Sequence, residues 1–89
     1  MSRVEVRGRV QGVGFRWYAR ESARRLGLAG WVRNREDGAV EAAASGPAES
    51  VERFLDDLRR GPAGSRVDEL IALSVEGLGA LDEPFTVLR

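Results

Sequence analysis

In the stretch GRVQGVGFRW, Gly8 to Trp17, two glycines stand one residue apart and an arginine follows two places after the second. Glycine admits positive φ and lets another group come close to the backbone. Arginine presents a planar fork of donors that fits two oxygens of a carboxylate or phosphate. Together these residue types describe a site for a small anion, with the free backbone N–H groups of a glycine turn at a helix start on one side and Arg16 on the other. The spacing matches neither the dinucleotide fingerprint nor the P-loop. On glycine spacing alone, a tight turn followed by an exposed arginine is the simpler account.

What the chain lacks narrows the chemistry further. There is no cysteine, which excludes disulfides, thiolate catalysis and zinc–sulfur sites, and no histidine, which removes the usual general base and the commonest metal ligand. All fourteen basic residues are arginine. A lysine nucleophile, a Schiff base and a Walker-type phosphate lysine are therefore impossible. Asp56 and Asp57 stand beside Arg59 and Arg60 and read as a solvated helix face, since no histidine is present to complete a metal site. The expectation is a site without metal or cofactor.

Net charge is zero but unevenly spread: residues 1–35 hold nine arginines against Glu5 and Glu21, and residues 36–89 hold five against twelve acids. Either the first part faces an anion, or the fold interleaves the two parts and cancels the field.

The elements that must position the loop follow from hydrophobic periodicity. Arg3 to Val10 alternates, with Val4, Val6 and Val10 on one side and Arg3, Glu5, Arg7 and Arg9 on the other, which is a half-buried strand. After the glycine turn, Ala19, Ala23 and Leu26 recur at helical spacing, Glu21 and Arg25 form an i,i+4 pair, and Gly27 is placed to end the helix. A second strand spans about Ala29 to Arg35 and a third Ala39 to Ser45, joined at Asp37-Gly38, a strong hairpin signal. The third carries Val40, Ala42 and Ala44 on one face, small enough for a helix to pack close. GPAES reads as a helix start with Gly46 at the N-cap and Pro47 at N1. Val51, Phe54, Leu55 and Leu58 form its stripe, and Gly61-Pro62 stops it. A fourth strand lies within Val67 to Glu76, strongest at Ile71, Leu73 and Val75, and a short terminal strand carries Phe85 and Val87.

This order, β-α-β-β-α-β plus a short final strand, predicts an α+β, ferredoxin-like two-layer sandwich: an antiparallel sheet with two helices on one face, residues 1–89 forming one domain. The open face would show Arg3, Glu5, Arg7 and Arg9 from the first strand and Glu41, Ala43 and Ser45 from the third, without the stacking pair of aromatics that RNA-binding sheets use. No nucleic-acid partner is expected. An apolar run of membrane-spanning length and an N-terminal signal pattern are both absent, so the expectation is a cytoplasmic protein without a membrane partner, with a monomer as the default.

The loop does not stand alone. GWVRN, Gly30 to Asn34, lies in the second strand and DGAVE follows the hairpin. GRVQGVGFR, GWVRN and DGAVE, in that order and at those spacings, resemble the acylphosphatase family, and the later GP, Val67 and FTV are similar to it as well. The resemblance covers essentially the whole chain, and the first motif is highly specific. It implies an enzyme that hydrolyses acyl phosphates, mixed anhydrides of a carboxylic acid and phosphate, to carboxylate and inorganic phosphate. It implies that the amides of Gln11 to Phe15 cradle the phosphate, that Arg16 binds its oxygens, and that Asn34 positions the attacking water. Inorganic phosphate, as product, would inhibit competitively. Gly14 is less diagnostic than Gly12, because the family tolerates other small residues there.

The implied reaction suits a chain without His, Cys or Lys. A carboxylate, with a conjugate-acid pKa of roughly 4–5, leaves without being protonated. Phosphoryl transfer asks the protein mainly for positioning and charge stabilisation. Two further readings use the same residues: a phosphate-binding module without efficient turnover, and a carbamoyl-phosphate-handling domain of the kind that begins larger hydrogenase-maturation proteins. Trp17, Tyr18 and Trp31 are either packing residues or contacts for the acyl group, and Arg33 and Arg35, flanking Asn34, are either surface charges or anion guides.

Overall fold

Residues 1–89 are described by a computed structural model. Along the chain run β1 (Ser2–Arg9), α1 (Phe15–Arg25), β2 (Ala29–Asn34), β3 (Val40–Ser45), α2 (Ala48–Arg60), β4 (Arg66–Leu73) and β5 (Thr86–Val87). The five strands form one sheet in the order β4-β1-β3-β2-β5. β1 lies antiparallel to both β3 and β4, and β2 antiparallel to β3. β5 departs from the expected all-antiparallel sheet: it runs parallel to β2, with Val32 opposite Val87, so the sheet is mixed.

Alternation assigns the two faces. Val4, Val6, Val32, Val40, Ala42 and Ala44 point to one side and are buried, together with Phe15, Ala19 and Ala23 of α1 and Val51, Phe54 and Leu58 of α2. Both helices therefore cover the same face, and the alanines of β3 let them sit close. Phe85, buried just before β5, meets Phe54 edge-on with ring centroids 5.5 Å apart. Between the helices, the Tyr18 hydroxyl donates to the Asp57 carbonyl at 2.8 Å, and the buried Ser22 hydroxyl donates to the Asp57 carboxylate at 2.7 Å.

Several local expectations shift. α2 begins one residue late, with Pro47 as its N-cap. Glu21 pairs with Arg20 at 2.6 Å instead of Arg25, whose guanidinium reaches Asp57 at 3.9 Å. β4 ends at Leu73, before Val75, and the core takes Val67 and Leu70 from it. Ile71 and Leu73 stand opposite Glu5 and Arg3, so they lie on the other face of the sheet. A bulge between Arg7 and Gly8 changes the register of this pairing partway along β1, and such an insertion reverses which residues face the core.

The open face carries a charge network where an apolar layer would otherwise sit. Glu41, in the middle of β3, is 0% exposed. Its carboxylate accepts from Arg3 at 2.6 Å and from Arg33 at 2.7 Å, with Arg35 at 3.4 Å. Arg7 joins Glu5 to Asp37, and Arg35 also reaches Glu5 at 3.3 Å. The contacts to Glu41 and Asp37 join arginines from residues 1–35 to acids of the later part, so the fold interleaves the two. Trp31 is the one aromatic of β2 on this face, with the Arg33 guanidinium 5.6 Å from its ring centre.

Burial alone would push the Glu41 carboxyl up; hydrogen bonds and charge from Arg33 and Arg3 more than offset it and hold the group below its ordinary value. A carboxyl depressed in the folded state stabilises the fold above its unfolded pKa, near 4.3, and loses that contribution as pH falls through the folded value. Glu41→Gln should therefore lower stability at neutral pH by about 2 kcal/mol, on the order of 10 °C in melting temperature. The melting temperature of this variant should also change less than that of the parent between pH 5 and 3, which thermal melts across that range would test.

Candidate active site

β1 ends at Arg9, and six residues later α1 begins. Gly14 caps the helix with φ +76° and Gly12 sits at φ +75°. Both lie in the left-handed region, which glycine adopts without the strain a Cβ brings, although the space around each is open. None of the N–H groups from Gln11 through Trp17 donates to another group of the chain; the first bond of the helix runs from the Tyr18 N–H to the Gly14 carbonyl. The first turn of α1 contains no acidic residue. The positive end of the helix dipole and a row of free donors are thus left facing a common space.

Arg16 is the second residue of α1, and its guanidinium has no hydrogen-bond or ion-pair partner in the chain. It is half-buried. Most other arginines here are paired with acids, and Arg24 donates to the Phe85 carbonyl at 2.8 Å. Asn34 reaches the same space from the sheet. Side chains alternate along β2, so Asn34 continues the face of the buried Val32 past the edge of the core, to the side where α1 begins. Its amide, too, has no partner within the chain.

Arg16 and Asn34 line one cleft of about 470 Å³ together with Val10, Gly12, Gly14 and Phe15. The other two loop residues are placed differently. Val13 packs against the core, and Gln11 turns its side chain to the β2–β3 hairpin, where it donates to the carbonyls of Arg35 and Ala39. Arg33 and Arg35 are held by Glu41 on the opposite face of the sheet.

The remaining walls are Trp17, Arg20, Val87 and Arg89. Trp17 is 62% exposed and carries the Arg20 guanidinium 4.7 Å from its ring centre. Arg20 was legible as a wall residue, since it follows Arg16 by four positions and so shares its helix face. Val87 and Arg89 were not, because nothing local says that the chain end docks beside β2. Asp56 and Asp57 pair with Arg59 and Arg60 at 2.8 and 2.9 Å.

Comparison with known proteins identifies the family. A family model described as Acylphosphatase matches residues 2–83. A Koribacter versatilis acylphosphatase is 56% identical over 68 residues, 76% of this chain and 62% of that relative, so the matched part is less than two thirds of its length. An acylphosphatase from Rhizorhabdus wittichii is 51% identical over 88% of this chain and 79% of its own. The crystal structure of a Bacillus subtilis acylphosphatase superimposes with a TM-score of 0.90 at 36% identity, covering 99% of this chain and 97% of that one. With two helices on one face of the sheet, the glycine loop at the start of α1 and a family match over nearly its whole length, the chain belongs to the acylphosphatase family.

Proposed function

We propose that this enzyme hydrolyses the carboxyl–phosphate bond of small acyl phosphates with Arg16, Asn34 and the Gln11–Phe15 amides as its working groups. The observation that carries the assignment is the convergence, in one cleft, of an arginine without a partner, a row of free N–H groups at a helix N-terminus and an unpaired side-chain amide from a different element. The loop amides and the Arg16 fork would hold the phosphoryl oxygens and stabilise the charge that spreads over them as the bond to the carboxylate loosens. Asn34 would accept a hydrogen bond from a water through its side-chain oxygen and aim the water at phosphorus, opposite the leaving group. A P–O bond to water forms, the P–O bond to the acyl group breaks, the carboxylate leaves with its electron pair, and the water's proton passes to the phosphate product or solvent.

No protonated acid is required on the leaving-group side, since a carboxylate is stable as it departs. An ordinary phosphate ester would leave as an alkoxide and should be a poor substrate. Every proposed group comes from one chain, so a monomer suffices. Trp17, Val87 and Arg89 also line the cleft and are available to the acyl group, and none of them selects one acyl chain over another.

The test is hydrolysis of acetyl phosphate by the purified chain with saturating EDTA present. Turnover should be unchanged by the chelator and inhibited competitively by inorganic phosphate occupying the loop. Binding of phosphate without turnover would instead describe a phosphate-binding module. Chelator-sensitive turnover restored by a divalent cation would place the chemistry on carboxylates outside this cleft.

A further inference from the structure

Gln11 is the one residue of the loop whose side chain leaves the cleft to hold another element. Its Nε2 donates to the Arg35 carbonyl at 2.8 Å and to the Ala39 carbonyl at 2.9 Å. A primary amide nitrogen has two hydrogens, and both are used. Two carbonyls in this position also fix which end of the amide faces them, because the amide oxygen there would meet two acceptors.

The two carbonyls belong to the neck of the β2–β3 hairpin. The Arg35 N–H donates to the Ala39 carbonyl at 2.8 Å, and the Gly38 N–H donates to the Arg35 carbonyl at 3.3 Å. The Asp37 carboxylate accepts from the Ala39 N–H at 3.1 Å, closing the turn from within. Gln11 thus adds a second donor to each of the carbonyls that already define the neck. Asn34 is the residue next to Arg35, with one Cα–Cα step of about 3.8 Å between them. On the other side, Gln11 precedes Gly12, Gly14 and Arg16 in the same loop.

We infer that the Gln11 side chain is a positioning residue that sets the distance and angle between the phosphate-holding loop and Asn34. The phosphate groups sit on one rigid unit, the loop and α1. The water-orienting amide sits at the end of β2, and β1 and β2 are not neighbours, since β3 runs between them. Without Gln11 the loop and the hairpin neck would be related only through the strands behind them and the apolar packing of α1 on β2, with no hydrogen bond joining them directly. In-line attack requires the phosphorus and the water to be in register, and a misplacement of about 1 Å can cost on the order of 100-fold in rate. This role rests on the assignment of Asn34 proposed above.

The test uses Gln11→Met, which keeps the length of the side chain and loses both donors, and Gln11→Glu, which keeps its shape but sets a carboxylate against the two carbonyls. Both should lower kcat by roughly 10–100-fold. The phosphate inhibition constant should stay within about threefold of the parent, because the loop amides and Arg16 hold phosphate without the hairpin. A purely structural amide would shift melting temperature, phosphate affinity and kcat together, and that pattern in Gln11→Met overturns the inference. So does a kcat within twofold of the parent. The double variant Gln11→Met with Asn34→Ala separates the two assignments. If Gln11 acts through Asn34, the double variant is no slower than Asn34→Ala alone. If Asn34→Ala is slow and Gln11→Met slows it again by its full factor, the coupling is refuted while Asn34 keeps its role. If Asn34→Ala retains its rate, both are refuted.

Discussion

Arg16→Lys should be almost as damaging as Arg16→Ala, with kcat/KM lower by roughly 100-fold or more in each. The reason is geometric. Arg16 starts α1 beside a row of backbone donors whose positions are set by two left-handed glycines. A guanidinium there can place two N–H groups on two oxygens of one phosphate at once. An ammonium keeps the charge but on a shorter, freely rotating end, and it offers no fixed pair. Since the phosphate is charged before and during bond cleavage, substrate binding should weaken along with turnover, and so should inhibition by inorganic phosphate. Melting temperature should hold, because the guanidinium has no partner in the chain to lose. Steady-state kinetics, phosphate inhibition and thermal melts on the two variants would check all three. Near-normal kinetics in Arg16→Lys would make Arg16 an ordinary surface residue and remove the centre of the proposed site.

Asn34→Ala should separate what Arg16 variants lose together. Turnover should fall by a factor on the order of 100–1,000, while the phosphate inhibition constant changes by less than about 1 kcal/mol, or fivefold. Asn34 belongs to β2 and Arg16 to α1, so truncating the amide leaves every proposed phosphate contact in place. What is lost is a fixed partner for the water, which must then find its trajectory from solvent. An asparagine at a strand end has a second ordinary use, capping or turning the chain through its side chain. Here that use is absent: the turn is closed by the Asp37 carboxylate and the Gly38 N–H instead. Stability should accordingly change little. A variant that loses its fold and its phosphate affinity together, or one that keeps its rate, would refute the water-positioning role.

Much of the architecture was legible because it rests on local patterns. Alternating valines in β1, the Asp37-Gly38 turn and the Val51, Phe54 and Leu58 stripe each state an element and its buried face. Apart from the one-residue shift at the start of α2 and the Glu21 partner, which are local, the departures share one cause, pairing between distant segments. Ile71 and Leu73 look like a strand's core face by themselves, yet the bulged register against β1 sends Val67 and Leu70 inward. β5 is two residues long, and its parallel docking on β2 has no local signal. The site divides in the same way. Gly12, Gly14 and Arg16 suit an anion site by residue type, but on spacing alone a tight turn with an exposed arginine is simpler, and it is the resemblance to family members that favours the site. Asn34 reads as chemistry only through its resemblance to family members, since an asparagine before a hairpin is otherwise ordinary. The side-chain reach of Gln11 to Arg35 and Ala39 spans 24 and 28 residues, and no pattern within the loop predicts it.

The placement of β1 between β3 and β4 bears on how the enzyme comes into being. Arg3 pairs with Ala43 on one side and Leu73 on the other. The strand that leads into the glycine loop is therefore flanked on both sides by segments far along the chain, and the second flank closes a loop of some seventy residues. Contacts of such sequence separation must be found by diffusive search before they are rewarded, and chains dominated by them fold slowly, in milliseconds to seconds. During that search β1 exposes two unpaired edges and its row of valines, which is the condition under which strands of separate molecules join. Refolding from denaturant should show a slow main phase, with the return of phosphate binding following this phase, since the loop has no fixed base until β1 is enclosed.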